Sequence, residues 1–162
     1  MPSNILTPKT IDRLEQAFKI GLAAAISYYL ARFLSLPESY WAPISAIIVM
    51  YSDVSKTVKV STYRMIGTAI GVTIGAASAA LFGIHLWSFG LAVTLTVLIC
   101  AFLGFDDAAR LSGVAVAIVM LVGHPGRPWV AAIHRFLEVS FGIVIAVLVS
   151  MLIWPSRERR HP

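Results

Sequence analysis

The chain has 162 residues, of which 58% are hydrophobic and only 13% are charged, and its net charge is +5. Soluble globular domains carry about 25% charged residues, so this composition excludes an aqueous fold because its polar groups could not cover the surface. The basic residues stand between apolar runs rather than along one helix face, and this placement argues against nucleic acid as a partner.

The sequence has no pattern that indicates catalysis or a metal site. Its one cysteine, Cys100, lies inside an apolar run and has no second cysteine with which to form a disulfide or a metal site. The four histidines lack metal-ligand spacing, and neither a nucleophile–base pair nor a phosphate-binding loop is present. We therefore expect no metal, no cofactor and no enzymatic activity.

Six apolar runs follow one another, at 18–34, 40–52, 65–82, 87–105, 111–123 and 130–154. A spanning helix needs about 20 apolar residues, and about 17 is the lower limit. The second and fifth runs have 13 residues each, so they are either spans extended by their flanks or re-entrant segments. The first run resembles a secretory signal, but it lacks a good cleavage site and five apolar runs follow, so we interpret it as a retained helix.

The distribution of Lys and Arg favours six transmembrane helices with both termini in the cytoplasm, because short cytoplasmic loops carry excess positive charge. On that topology three basic residues lie outside, namely Arg32, Arg127 and Arg135, and the other ten lie inside, namely Lys9, Arg13, Lys19, Lys56, Lys59, Arg64, Arg110, Arg157, Arg159 and Arg160. If the second and fifth runs only re-entered the membrane, no inside excess would remain. We predict a multi-pass, all-α protein of the inner (cytoplasmic) membrane, in contact with the lipid bilayer, with a single transmembrane domain over 1–162.

The two halves of the chain resemble each other at a nearly constant offset. Gly21-Leu22-Ala23 matches Gly90-Leu91-Ala92 at an offset of 69, Ile48-Val49-Met50 matches Ile118-Val119-Met120 at 70, and Gly71 matches Gly142 at 71. We place repeat one at about 17–83, repeat two at about 87–154, and a short basic cytoplasmic tail at 155–162. Each repeat has three runs, an odd number, so the second enters the membrane from the opposite side. Inverted repeats are typical of transporters and hold the substrate near the midplane.

Candidate substrate-binding residues begin in the first two runs. Tyr28 lies deep in the first run. Either its ring faces a substrate ring, or Tyr28 belongs to the ordinary belt of aromatic residues at the membrane interface. The short second run carries Pro43, and short or Pro-interrupted segments often mark a transporter's binding site. The alternative is that Pro43 sits harmlessly in a first helical turn after Tyr40.

Helix three, predicted to begin at Met65, carries a stripe of glycines at four-residue spacing. The stripe contains Gly67, Gly71 and Gly75, and a matching stripe on helix six contains Gly142. Small residues at this spacing allow another helix to approach closely, so we assign these four to helix packing.

Two arginines are candidates for binding an anion. Arg64 and Arg135 are expected near the N-terminal ends of helices three and six, where free N–H groups and a guanidinium both attract carboxylate. The alternative is that each arginine snorkels to the lipid headgroups.

Glu138 lies eight residues into the last run, about 12 Å along a helix axis. An ionisable group at that depth indicates function, and Arg135 and His134 are the partners available on the same helix. We therefore consider Glu138 and His134 as candidates for proton coupling. The alternative is a permanent ion pair of Glu138 with Arg135 that merely orients the helix.

Two motifs carry a resemblance to a known family. Tyr40-Trp41-Ala42-Pro43, followed by Arg64-Met65-Ile66-Gly67-Thr68-Ala69-Ile70-Gly71, resembles the membrane domain of the fusaric acid resistance and aromatic acid exporter proteins, to which plant aluminium-activated malate transporters are distantly similar. The resemblance implies export of aromatic or other small carboxylates, and it adds Trp41 to the substrate-binding candidates.

We expect the chain to act by alternating access in a homodimer or a higher homo-oligomer. Six short helices hardly enclose a path, and the glycine stripes offer close-packing faces. Two other functions stay open, namely a passive anion channel and a non-transporting membrane scaffold or subunit.

Overall fold

The computed structural model describes residues 8–122 and 127–153. Within these ranges the chain forms six α-helices and no β-strand, which confirms the all-α prediction. The helices are α1 (Pro8–Phe33), α2 (Trp41–Val49), α3 (Val54–Phe82), α4 (Leu86–Phe102), α5 (Asp106–Ala117) and α6 (Pro128–Leu152). A π-helical segment, Ile118–Val122, continues from α5. The predicted tail at 155–162 lies outside the described residues.

Local sequence explains several helix ends. The side chain of Asp53 accepts a hydrogen bond from the backbone N–H of Ser55 at 3.0 Å and thereby caps the start of α3. Gly83 follows the last residue of α3 with φ of 72°, a left-handed conformation that glycine adopts without strain. Pro128 is the first residue of α6, a position at which its missing N–H costs no helical hydrogen bond.

The predicted start of helix three is wrong, because α3 begins at Val54 rather than at Met65. Its first three turns are polar, so the apolar run misses them, but the Asp53 cap and the absence of glycine and proline there allow the helix to begin earlier. The expectation that Arg64 lies at the N-terminal end of this helix is therefore also wrong. Arg64 lies about three turns into α3.

Two of the described helices, α3 and α6, have both the length and the hydropathy of a membrane span, and α4 is a shorter apolar helix. The helix in the second run is shorter than the run itself. With nine residues, α2 is about 14 Å long, less than half of the roughly 30 Å hydrocarbon core.

The surface of the molecule is apolar and its core is made of small residues. Large side chains on the outside include Phe33, Leu81, Leu86, Phe102 and Leu152, each at least 75% exposed. Fully buried residues include Ala23, Ala46, Ala76, Ala92 and Ala146. Large exposed apolar surface with small residues between the helices is what a lipid environment favours.

Helices α3 and α6 pack against each other at the centre of the bundle and run antiparallel. The Ser140 hydroxyl of α6 donates to the sulfur of Met65 at 3.4 Å, whereas farther along α3, Val72 and Ala76 share a core cluster with Ala132. Along the shared axis, residue numbers therefore increase in α3 while they decrease in α6, as expected for antiparallel helices. Helix α2 packs against α1 and α6, and helix α5 packs against α4 and α3.

Glycines provide the closest contacts between helices. A Cβ atom added at Gly67 would lie 2.6 Å from the carbonyl oxygen of Ala108, too close for any side chain. The neighbours are Ala108 for Gly67, Ser112 for Gly71, Val116 for Gly75 and Ala42 for Gly142. Both stripes thus serve contacts within this chain, with α5 or α2. The expectation that they offer faces to a second copy loses its support, because backbone of the same chain already occupies them.

Candidate functional site

Four side chains form a polar cluster, here called the arginine cluster, where the connection between α1 and α2 meets α6. They are Glu38, Trp41, Arg135 and Glu138. Arg135 donates through Nη2 to Glu38 Oε2 at 2.6 Å and through Nη1 to Glu138 Oε2 at 3.5 Å. Its guanidinium carbon lies 4.0 Å from the centre of the Trp41 ring, a cation–π contact. Arg135 and Glu138 are buried, so their opposite charges compensate each other where water is scarce.

The fold places these groups through one helix face and one tight turn. Arg135 and Glu138 share a face of α6 because they are three residues apart. After α1 the chain reverses at Ser35, whose φ of 52° is left-handed. The backbone N–H of Glu38 then donates to Glu138 Oε1 at 2.7 Å, and the backbone N–H of Trp41 donates to the Glu38 carbonyl at 3.0 Å as α2 begins.

Glu38 is held as a carboxylate by several donors. Its Oε2 accepts from Arg135, from Trp41 Nε1 at 2.9 Å and from the Tyr40 hydroxyl at 3.1 Å. Partial burial raises the pKa of Glu38, but the hydrogen bond and charge of Arg135, together with the Tyr40 and Trp41 hydrogen bonds, outweigh it and place the pKa below its ordinary value of 4.5. Glu38 is therefore ionised at neutral pH.

Arg135 keeps unused capacity to bind an acceptor. Its Nε atom is buried and has no hydrogen-bond partner among the described residues, and its contact with Glu138 is long at 3.5 Å. Neither carboxyl group forms the paired fork in which arginine binds carboxylate most strongly. A further acceptor in this position would gain hydrogen bonds that the cluster does not make.

A cavity of about 470 Å³ opens onto the arginine cluster, within the range of roughly 300–1,000 Å³ that is usual for ligand pockets. It follows one face of α6 from Val130 to Glu138, a rise of about 12 Å. The lining residues are Pro37, Glu38, Ile118, Val119, Arg127, Val130, Ala131, His134, Arg135 and Glu138. Ile118 and Val119 belong to the π-helical segment, and such segments are frequent at functional sites. The cavity thus combines apolar walls with the charged groups of the arginine cluster.

Arg64 is the second buried arginine, and its surroundings differ from those of Arg135. Its Nη2 atom donates to the Ser45 hydroxyl at 3.3 Å, while its Nε and the nearby Ser61 hydroxyl have no hydrogen-bond partner in the part of the chain that the structure describes. No carboxylate within those residues forms a salt bridge with it. Neither arginine reaches outward as snorkelling requires, because both are more than 90% buried.

The structure brings some of the predicted site residues together and leaves others apart. Trp41 belongs to the arginine cluster, and His134 lines the cavity one residue before Arg135. Pro43 is the third residue of α2, in the first turn where proline does no harm, and it does not line the cavity. Tyr28 lies 44% exposed on α1, where its hydroxyl accepts from Arg32 at 3.3 Å.

Reasoning from the sequence missed Glu38, the residue that makes the shortest contact with Arg135. It lies between the first two apolar runs, 18–34 and 40–52, and belongs to neither of them. A usable signal was present, because a buried arginine needs a compensating charge and Glu38 is the only acid between the first run and Asp53.

Comparison with known proteins identifies relatives along nearly the whole chain. A family model described as the fusaric acid resistance protein family matches residues 13–161. A UPF0421 protein of Halalkalibacterium halodurans is 25% identical over 142 residues, covering 88% of this chain and 40% of the relative. The inner membrane protein YeeA of Escherichia coli is 27% identical over 154 residues, covering 92% of this chain and 43% of the relative. The chain thus spans about two fifths of the length of these curated relatives, and no solved structure matches it.

Proposed function

This chain belongs to the fusaric acid resistance protein family, as the two sequence motifs indicated, and from that premise we propose that this membrane protein exports small organic anions, namely aromatic or other carboxylates. The observation that carries the proposal is Arg135. It is a buried cation that lines a cavity, it already contacts carboxylates, and one of its donors has no partner among the described residues. A guanidinium shielded from water binds carboxylate well, and the apolar walls suit an organic body.

We propose that the chain crosses the inner membrane six times as two inverted repeats, α1 to α3 and α4 to α6, with both termini in the cytoplasm, and that the short α2 crosses together with the residues that flank it in the 40–52 run. The antiparallel arrangement of α3 and α6 supports this topology. The packing of the short helices supports it as well, because the short helix of each repeat packs on the last helix of the other repeat, α2 on α6 and α5 on α3. Gly71 contacts the backbone of Ser112, and Gly142 contacts the backbone of Ala42. The two contacts correspond to each other under the repeat, because Gly142 follows Gly71 by 71 residues and Ser112 follows Ala42 by 70.

The two buried arginines would serve as successive contacts for the anion in an alternating-access cycle. Arg135 lines the cavity, and Arg64 lies on the helix that packs against α6. Glu138 is buried against Arg135, and loading a proton there would weaken its hold on the guanidinium. His134 lines the same cavity and offers a route for that proton.

A homodimer or higher homo-oligomer is our proposal for the working form. With the glycine stripes used inside the chain, the large apolar side chains on the surface are left to form contacts between copies.

Transport is tested by a counterflow screen of aromatic and dicarboxylic acids in proteoliposomes, with and without a pH gradient. The variant Arg64→Gln should slow uptake of any acid that is carried, because it removes a buried cation. Arg110→Gln is the matched control, since Arg110 is exposed on α5 and its loss should leave uptake unchanged.

The same screen separates the other functions. Flux that follows the electrochemical gradient without saturation or proton dependence would indicate a passive channel. No flux of any acid, with a partner protein recovered in constant ratio, would replace the transport proposal with a scaffold.

A further inference from the structure

One oxygen of the protein occupies a position that is built to hold an anion. Glu38 Oε2 receives donors from Arg135 at 2.6 Å, from the Trp41 indole at 2.9 Å and from the Tyr40 hydroxyl at 3.1 Å. The three donors come from two different parts of the fold, namely the α1–α2 connection with the start of α2 and the N-terminal third of α6. A guanidinium, an indole N–H and a phenol converging on one carboxylate oxygen form a carboxylate site, which the protein's own side chain fills.

Glu38 is the charged member of the cluster that is placed to leave it. Its side chain is 20% exposed, whereas those of Arg135 and Glu138 are 5% and 1% exposed. The connection is anchored through the backbone, because the Glu38 N–H and not its carboxylate binds Glu138 at 2.7 Å. Rotation about side-chain bonds of Glu38 would therefore vacate the position while the turn and Trp41 stay in place.

We propose that the position of Glu38 Oε2 is the carboxylate subsite for the exported anion, and that Glu38 is an internal carboxylate which the anion displaces. This inference rests on the proposed function and specifies its binding site. The incoming carboxylate makes the same three hydrogen bonds with one oxygen. Its second oxygen is able to meet the Nε atom of Arg135, which Glu38 leaves without a partner among the described residues, and so completes the paired fork.

An internal competitor has a definite consequence for affinity. While Glu38 occupies the subsite, only the fraction of molecules with Glu38 displaced is competent to bind, and the apparent affinity falls by that fraction. The tethered carboxylate thus keeps binding weak and replaces the anion as it departs. An exporter needs both properties, because an anion that bound too tightly would not be released.

The inference is tested by binding of benzoate to the purified full chain in lipid nanodiscs. Trp87, Trp129 and Trp154 are replaced by Phe, so that Trp41 reports on the subsite through its fluorescence. In this background Glu38→Gln should bind benzoate on the order of tenfold more tightly, because an ionic hydrogen bond that opposed binding is lost. Asp107→Asn is the matched control, since it removes an exposed acid of α5 and should bind as the parent does. Benzamide, which has no charge, should bind none of them.

Glu38→Asp provides a second variant in case the amide disturbs folding. It keeps the charge but shortens the side chain, so the competitor is weakened and benzoate affinity should fall between those of the parent and Glu38→Gln. Equal or weaker affinity in both variants, or failure of the parent to bind benzoate, overturns the subsite. If the parent carries carboxylates in the counterflow screen while both variants bind no better, the subsite is wrong and the exporter proposal stands.

Discussion

Gly142 provides the most direct test of how α2 is held against α6. A Cβ atom added there would overlap the carbonyl group of Ala42, and Ala42 directly follows Trp41 of the arginine cluster. The obstacle is backbone rather than a flexible side chain, so the variant Gly142→Ala must push α2 away from α6. Because Trp41 is the first residue of α2 and Arg135 belongs to α6, the same displacement would separate Trp41 from Arg135 in the cluster.

The expected change in the free energy of unfolding follows from two opposing effects. Overpacking a well-packed contact costs about 1–3 kcal/mol, and a clash with backbone lies toward the upper end. Replacing glycine by alanine inside a helix gains about 1 kcal/mol, so the net loss is about 1–2 kcal/mol for Gly142→Ala. Gly90 of α4 has nothing within 4 Å of the added atom, so Gly90→Ala should keep the gain alone. The same substitution of glycine by alanine should therefore lower the free energy of unfolding at position 142 and raise it at position 90.

Thermal unfolding of both variants in the same mild detergent measures the difference. For a chain of this size about 1 kcal/mol corresponds to roughly 2–4 °C in Tm, so Gly142→Ala should melt several degrees below the parent and Gly90→Ala slightly above it. A melting temperature for Gly142→Ala equal to or above that of the parent would refute the close contact of α2 with α6. Equal lowering by both variants would show a general effect of helical alanine instead.

Two further predictions concern the charges of the arginine cluster. Arg135→Gln leaves two acids without their cation and should cost about 3–5 kcal/mol, a loss that the double variant Arg135→Gln/Glu138→Gln should partly recover in the same unfolding assay; no recovery would show that the acids do not repel each other. The pKa of Glu38 lies below 4.5 in the folded chain, so its stabilising effect is complete above that pH and is lost as the pH falls through the lowered value. The melting temperature of the parent should therefore fall more steeply below pH 4.5 than that of Glu38→Gln, and parallel curves would contradict this assignment.

The apolar composition, the six helices and the family follow from sequence alone, because each depends on patterns extended over many residues. The start of α3 does not, since an apolar run records the lipid-compatible part of a helix and not its polar first turns. Only one of the two ion-pair partners of Arg135 can be predicted from the sequence. Glu138 shares its helix and follows from spacing, whereas Glu38 reaches Arg135 through a turn whose direction depends on the left-handed conformation of Ser35.

The proposed repeat gives the arginine cluster a counterpart from which it departs. At the offsets of 71 and 70 residues, Glu138 corresponds to Gly67 and Glu38 corresponds to Ala108, so the hydrogen bond between Glu38 and Glu138 takes the place of the contact between Gly67 and Ala108. In the first half, Gly67 allows close packing without any polar side chain. The buried acid at the equivalent position, Glu138, adds a desolvation cost that packing does not require. Packing alone therefore does not explain the acids at these two positions. The close contact of Gly67 with the backbone of Ala108 leaves no bond for a ligand to replace, whereas the hydrogen bonds to the Glu38 carboxylate can be replaced by an incoming anion, which agrees with the proposed subsite.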